Sequence, residues 1–167
     1  MTVNKVLVIG GGVTGSVAAI RLAQKGVKVT LIDTVPEWYG VGHGLTAQGN
    51  LLKVMRDIGA LDRIMEHAMG FNEVKINHAD GHTLTTLQTP RTGGEDLPAT
   101  AGVLRSDLQT VLVDMIHELG IDVRLSTEMD SFVNLEDCVD VTFNNGTTEN
   151  FDLVIGADGI SAGRNCV

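Results

Sequence analysis

The chain has 167 residues, enough for one domain with a buried core, and 43% of them are hydrophobic. A net charge of −9 leaves no basic stripe for nucleic acid and disfavours an anionic membrane surface. The two cysteines, Cys138 and Cys166, form no CxxC pair and point to a reducing compartment without disulfides. No stretch approaches the roughly 20 apolar residues of a membrane span. The first apolar run has no basic leader and is broken by three glycines, so it is not read as a signal peptide. A cytoplasmic protein is expected.

The run KVLVIG from Lys5 is short, apolar and β-branched, and it predicts a strand. GGGVTG follows, with Gly10, Gly12 and Gly15 in G-x-G-x-x-G spacing, then an apolar helix, a second strand VKVTLID, and Asp33. Strand, glycine turn, helix, strand and acid in this order read as a dinucleotide site. Gly10 turns the chain out of the strand, Gly12 removes the Cβ that would hold off a pyrophosphate, and Gly15 lets the helix lie close. The first helical turn near Thr14 offers unpaired N–H groups and a positive dipole end. Asp33 accepts hydrogen bonds from ribose hydroxyls and repels a 2′-phosphate, which favours FAD or NAD over NADP.

Residues 34–49 read as a glycine-rich loop containing Trp38 and Tyr39. Asn50 is expected to cap a helix with Leu51, Val54, Met55 and Ile58 inward, stopped by Gly59. A short helix over residues 61–68 follows, then a hairpin turning at Asp80-Gly81. Residues 90–102 read as a long polar loop. Ser106 and Gln109 suggest a capping box, and Leu108, Val111, Leu112, Met115, Ile116 and Leu119 share one face of the helix behind it. IDVRL is expected as a strand reached by a right-handed crossover. Residues 128–151 form a three-stranded meander turning at Asn144-Asn145-Gly146, and DLVIGADG is expected as a buried strand entering a second glycine turn.

An NAD dehydrogenase of the simple kind continues with another strand and helix soon after its acid, and this chain does not. Its order resembles the N-terminal FAD-binding region of the p-hydroxybenzoate hydroxylase-like flavoprotein monooxygenases, the aromatic hydroxylases, over essentially the whole chain. Four motifs carry the resemblance: GGGVTG with Asp33; Gly42-x-Gly44-Leu45 followed by Asn50 and a helix ending Ile58-Gly59; VLRSDLQTVL around Arg105; and DLVIGADGIS. The implied fold is α/β, a Rossmann-like FAD-binding fold with a parallel sheet, an inserted hairpin and a three-stranded β-meander.

The resemblance also implies roles. Gly10, Gly12, Val13, Thr14 and Gly15 would surround the FAD pyrophosphate, and Asp33 would hold the adenosine ribose. Arg105 would contact phosphate or ribityl oxygens. Met129 stands where the family grips adenine through backbone groups, although a strand core residue is an equal reading of its side chain. Asp158 and Gly159 would lie beside the pyrophosphate, with Asp158 holding its turn rather than carrying a proton. The parent activity would be hydroxylation of an aromatic or similar small apolar substrate, with NADH or NADPH reducing the FAD. No catalytic side chain is identified.

Several positions depart from the family pattern. Asp33 stands where glutamate is frequent, Thr34 where arginine is common, and Gly49 replaces a frequent proline; Ser161 and Arg164 fall one residue early. The family's second flavin motif and its substrate domain are expected further downstream than Val167. Residues 1–167 are therefore read as one FAD-binding domain truncated after the Asp-Gly motif, whether as fragment, shortened product or interrupted gene. Self-association through the surface left open is an expected consequence. Alternatives are a reductase or halogenase on the same flavin fold, a non-catalytic nucleotide-binding remnant, and an NAD dehydrogenase.

Weaker signals carry less. His78 and His82 have the i, i+4 spacing of a helical metal pair, but Asp80-Gly81 between them reads as a turn, so no metal ligands are expected. His43 reads as a loop histidine, Asn145-Gly146-Thr147 as a hairpin tip, and Cys138 as a small strand residue.

Overall fold

The computed structural model describes residues 2–38 and 42–159. In chain order the elements are β1 (Lys5–Ile9), α1 (Val13–Gln24), β2 (Lys28–Ile32), β3 (Gly44–Gln48), α2 (Gly49–Asp57), α3 (Leu61–Met65), β4 (Met69–Phe71), β5 (Glu73–Asn77) and β6 (Thr83–Gln88). They continue with β7 (Thr100–Leu104), α4 (Arg105–Glu118), β8 (Asp122–Arg124), β9 (Met129–Asn134), β10 (Val139–Phe143), β11 (Thr148–Phe151) and β12 (Leu153–Gly156). Two compact units result, one made of residues 1–39 and 112–167, the other of residues 40–111.

In the first unit a parallel sheet runs β12-β1-β2-β8. Val6, Leu7 and Val8 are fully buried, as a strand covered on both faces requires. Helix α1 joins β1 to β2 and buries Gly15, Ser16, Ala19 and Ile20, one stripe at helical spacing. The meander β11-β10-β9 forms a second, antiparallel sheet. Leu7 and Ile32 from the parallel sheet meet Val141, Phe143 and Phe151 from the meander in one apolar cluster. Phe143 and Phe151 contact edge to face with ring centres 6.4 Å apart. Burying each such side chain stabilises the unit by ~1.5–3 kcal/mol.

Polar contacts fix the register of β12 on β1. Asp152 Oδ2 accepts the N–H groups of Asn4 at 2.6 Å and Lys5 at 2.8 Å, and its own N–H donates to the Lys5 carbonyl. These two donors hold its carboxyl below the usual carboxylate range. Glu149 accepts from Arg124 and from Lys5 Nζ at 3.2 Å, tying β11 to both β8 and β1. The Arg124 guanidinium, then Lys5, lowers the Glu149 carboxyl.

The expected parallel sheet, hairpin and meander are all present, but several local expectations are corrected. DLVIGADG supplies an edge strand: Leu153 is 43% exposed because no described strand pairs with β12 beyond β1. In the second unit, β7 emerges from the end of the presumed polar loop and is the central strand of β3-β7-β4, with Thr100, Ala101 and Val103 buried. Its small side chains carry no alternating pattern, and only pairing to distant strands makes it a strand. Likewise β3 occupies the end of the presumed glycine loop; residues 39–41, including Tyr39, lie outside the described residues.

Helix α2 begins at Gly49, so Asn50 is inside it and its Oδ1 accepts the Leu51 N–H. Its buried face is Leu52 and Met55 with Ile58, while Val54 is exposed. A Cβ on Gly49 would lie 2.5 Å from the Gly93 nitrogen and 2.9 Å from Thr92 Oγ1, which excludes a larger residue there. Helix α3 stops at Met65, because Met69–Phe71 is drawn into the sheet as β4. Helix α4 begins at Arg105, one residue before the expected cap; Ser106 Oγ instead faces Asp107. Leu119 lies beyond α4 and is exposed.

Candidate cofactor site

The glycine turn is built by close backbone contacts. Gly10 has φ +101° and donates to the Ile32 carbonyl at 2.8 Å, which turns the chain off the end of β1 beside β2. A Cβ on Gly10 would meet the Ala157 carbonyl oxygen at 2.5 Å. Thus GGGVTG and GADG, nearly 150 residues apart, are packed against each other, and the Ala157 N–H bonds Ile9 at 2.7 Å.

Helix α1 starts at once. Ser16 N–H is bonded to the Gly12 carbonyl at 2.9 Å, and the N–H groups before it belong to the first turn, where no intrahelical acceptor exists. Gly12 is the N-cap, without a side-chain cap, and among the described residues an ideal Cβ there would meet nothing within 4 Å. This leaves a cradle at the positive end of the helix dipole, the arrangement that binds a phosphate. Ser16 Oγ donates to the Gly11 carbonyl at 3.0 Å and steadies the loop from below.

Asp33 follows β2 and turns its carboxylate to the same loop. Its Oδ2 accepts the Gly11 N–H at 2.6 Å and its Oδ1 the Val35 N–H at 3.1 Å. A carboxylate oxygen has a second lone pair, so both oxygens retain capacity for ribose hydroxyls. The segment after β8 braces this corner: Thr127 N–H bonds the Asp33 carbonyl and Ser126 N–H bonds Val35, both at 3.0 Å.

Trp38 and Ser16 are the residues sequence reasoning missed. A Cβ on Gly11 would lie 2.5 Å from the Trp38 indole nitrogen, so the ring edge rests on the glycine loop. That Nε1–H is buried with no hydrogen-bond partner among the described residues. A buried unmade donor is costly, and here it stands beside the cradle. The three glycines before Val13 were the available hint, since only glycine at position 11 admits the ring.

Of the other expected residues, Val13 is half-buried and Thr14 is exposed in the first turn of α1. Asp158 and Gly159 are exposed in the second turn, and the Asp158 Cα lies 3.0 Å from where a Gly10 Cβ would stand. Met129 opens β9 with its side chain packed on the Leu7–Phe143 cluster. Arg105 belongs to the second unit, exposed at the start of α4, and its N–H bonds the His43 carbonyl at 3.0 Å. The four sequence motifs therefore fold as two adjacent pairs: GGGVTG with GADG, and Gly42–Leu45 with the residues around Arg105. Ser161 and Arg164 lie outside the described residues.

The open cradle at Gly12 and the anchored carboxylate fit the pyrophosphate and ribose of an adenine dinucleotide. Comparison with known proteins decides which one. A family described as FAD binding domain matches residues 4–166. The chain belongs to this family. Among its relatives, the FAD-dependent monooxygenase OpS4 of Beauveria bassiana is 32% identical over 163 residues, covering 92% of this chain and 36% of that protein. The 3-hydroxybenzoate 6-hydroxylase 1 of Aquipseudomonas alcaligenes is 26% identical, covering 94% and 41%. A tetrameric form of 2-methyl-3-hydroxypyridine-5-carboxylic acid oxygenase superposes with a TM-score of 0.79 at 26% identity, over 95% of this chain and 40% of that one. This FAD-binding domain thus spans well under half the length of these relatives, and its resemblance to the aromatic hydroxylases is a family relationship. No helix among the described residues is long and apolar enough to cross a membrane.

Proposed function

We propose that residues 1–167 form the FAD-binding portion of an NAD(P)H-dependent flavoprotein monooxygenase that hydroxylates an aromatic or similar small apolar substrate. The observation that carries this reading is the open Gly12 cradle at the start of α1, with Asp33 bonded to the adjacent Gly11. Bound FAD supplies the redox chemistry, while the chain supplies position and electrostatics. Gly10, Gly12, Val13, Thr14 and Gly15 would surround the pyrophosphate. Asp33 would accept the ribose hydroxyls, and Asp158 with Gly159 would border the pyrophosphate. Met129 would meet adenine through its backbone, and Arg105 would contact phosphate or ribityl oxygens.

The names of the relatives support oxygenase chemistry. NADH or NADPH as donor is the usual partner of that chemistry and belongs to the same proposal, as does a cytoplasmic setting. The exposed edge at β12 gives self-association a route through strand pairing. The acidic charge argues against a nucleic-acid partner.

The test is the absorption spectrum of the purified chain before and after added FAD. A bound-flavin spectrum that Gly12→Ala abolishes, with circular dichroism unchanged, is the expected outcome. A colourless protein that leaves added FAD free would overturn the reading.

A further inference from the structure

The β5–β6 hairpin carries a cluster that the cofactor reading does not use. On a helix, four residues' separation means a shared face. At a tight turn it means a cross-strand pair, which is how His78 and His82 are placed: His78 N–H donates to the His82 carbonyl at 2.8 Å, and Gly81 N–H returns to His78 at 2.9 Å. The two imidazoles stack with centres 4.9 Å apart and planes 18° from parallel. Both Nδ1 atoms face one oxygen, Asp80 Oδ1, at 3.1 Å from His78 and 2.6 Å from His82.

We propose that His78, Asp80 and His82 form a binding site for one divalent transition-metal ion of the zinc class at the tip of this hairpin, from the convergence of three donor atoms within 4.8 Å of one another. Imidazole nitrogens with a carboxylate oxygen suit Zn²⁺, Ni²⁺ or Cu²⁺, whereas Mg²⁺ and Ca²⁺ prefer all-oxygen sets. Asp80 N–H points to His78 Nδ1 at 3.4 Å, so that nitrogen presents a lone pair to a backbone donor while it also faces a carboxylate oxygen. A cation between the three atoms would replace these hydrogen bonds with ligand bonds.

The turn is closed by its own backbone bonds, so little ordering remains for a ligand to impose. Donors within five residues also keep the chelate loop short. All three side chains are exposed, so an ion enters directly, and side-chain rotation would open the 2.6 Å contact between His82 and Asp80 to admit it at the ~2.0–2.2 Å of zinc coordination. Three protein ligands leave the remaining position to water. The site rests on the hairpin alone and stands independently of the cofactor assignment.

The experiment is calorimetric titration of the whole 167-residue chain with ZnCl₂, paired with the visible absorption of added Co²⁺. One equivalent of Zn²⁺ is expected to bind, without competition from excess Mg²⁺ or Ca²⁺. His82→Ala should weaken it on the order of tenfold or more, and His78→Ala with His82→Ala should abolish both signals. Asp80→Asn keeps an acceptor for the His82 N–H that supports the turn, and should still weaken the ion while circular dichroism is unchanged. Equal binding by the double variant would locate the ion among other carboxylates and overturn the proposal. Absence of any zinc heat or cobalt absorption would overturn it as well, leaving a hydrogen-bonded turn.

Discussion

The carbonyl oxygen of Gly10 fills the space that an ideal Cβ on Gly15 would need. Ala157 Cβ stands 3.3 Å away on another side. The first turn of α1 is therefore pressed onto the loop that precedes it and onto the second glycine turn. This contact keeps the helix N-terminus at the end of β1, where the open Gly12 cradle is.

Gly15→Ala should consequently displace α1 rather than be absorbed by a flexible neighbour. Overpacking against backbone costs about 1–3 kcal/mol or more. Urea unfolding should show that loss, and flavin affinity should fall with it. Wild-type stability in this variant would contradict the contact.

Asp33→Asn should weaken FAD binding by about 1–3 kcal/mol, the scale of a hydrogen bond to a charged group. The amide also turns an NH₂ toward either Gly11 N–H or Val35 N–H, both of which now donate to the carboxylate. Trp38 is the chain's one tryptophan and its indole lies on Gly11, so its fluorescence should be quenched as flavin binds. A quenching titration that gives the same affinity for both proteins would remove Asp33 from the site.

Acid should loosen the first unit through Glu149 and Asp152. Both carboxyls are lowered in the folded state, Glu149 by Arg124 and then Lys5, Asp152 by the N–H groups of Asn4 and Lys5. A lowered folded value means that the charged form is favoured by folding. Their contribution is fully present above the ordinary carboxyl range and is lost as pH falls through the lowered values. Thermal midpoints should therefore drop as pH is taken below about 5. Glu149→Gln should shallow that drop and cost about 1 kcal/mol or less at neutral pH, since the pair is partly solvated. An unchanged pH profile would rule the network out as a source of acid sensitivity.

Much of the site was legible because its chemistry is local. Gly10 needs a positive φ, Gly12 an absent side chain, and Asp33 a place just after a β-branched strand. Each requirement shows within a few residues of chain. The hairpin at Asp80-Gly81 and the meander turn at Asn144–Gly146 were readable for the same reason, since turn residues announce their own backbone geometry. Helix α2 was located but its face was misjudged, because Leu51, Leu52, Val54 and Met55 are all apolar and spacing alone permits two stripes.

What stayed hidden depends on partners far along the chain. Thr100–Leu104 is a central strand only because β3 and β4 flank it, and its Ala and Gly residues show no strand pattern. DLVIG looked buried because its composition is that of a buried strand, yet sheet order put it at an edge.

The residues themselves determined that a glycine turn, its helix and its acid would form, because turn conformation and helix capping are set by neighbouring groups. Tertiary structure alone decided that Ala157 would close on Gly10 and that Trp38 would cover Gly11. Those contacts come from strand pairing and chain reversal, and their partners are chosen by register and burial rather than by any short stretch of sequence.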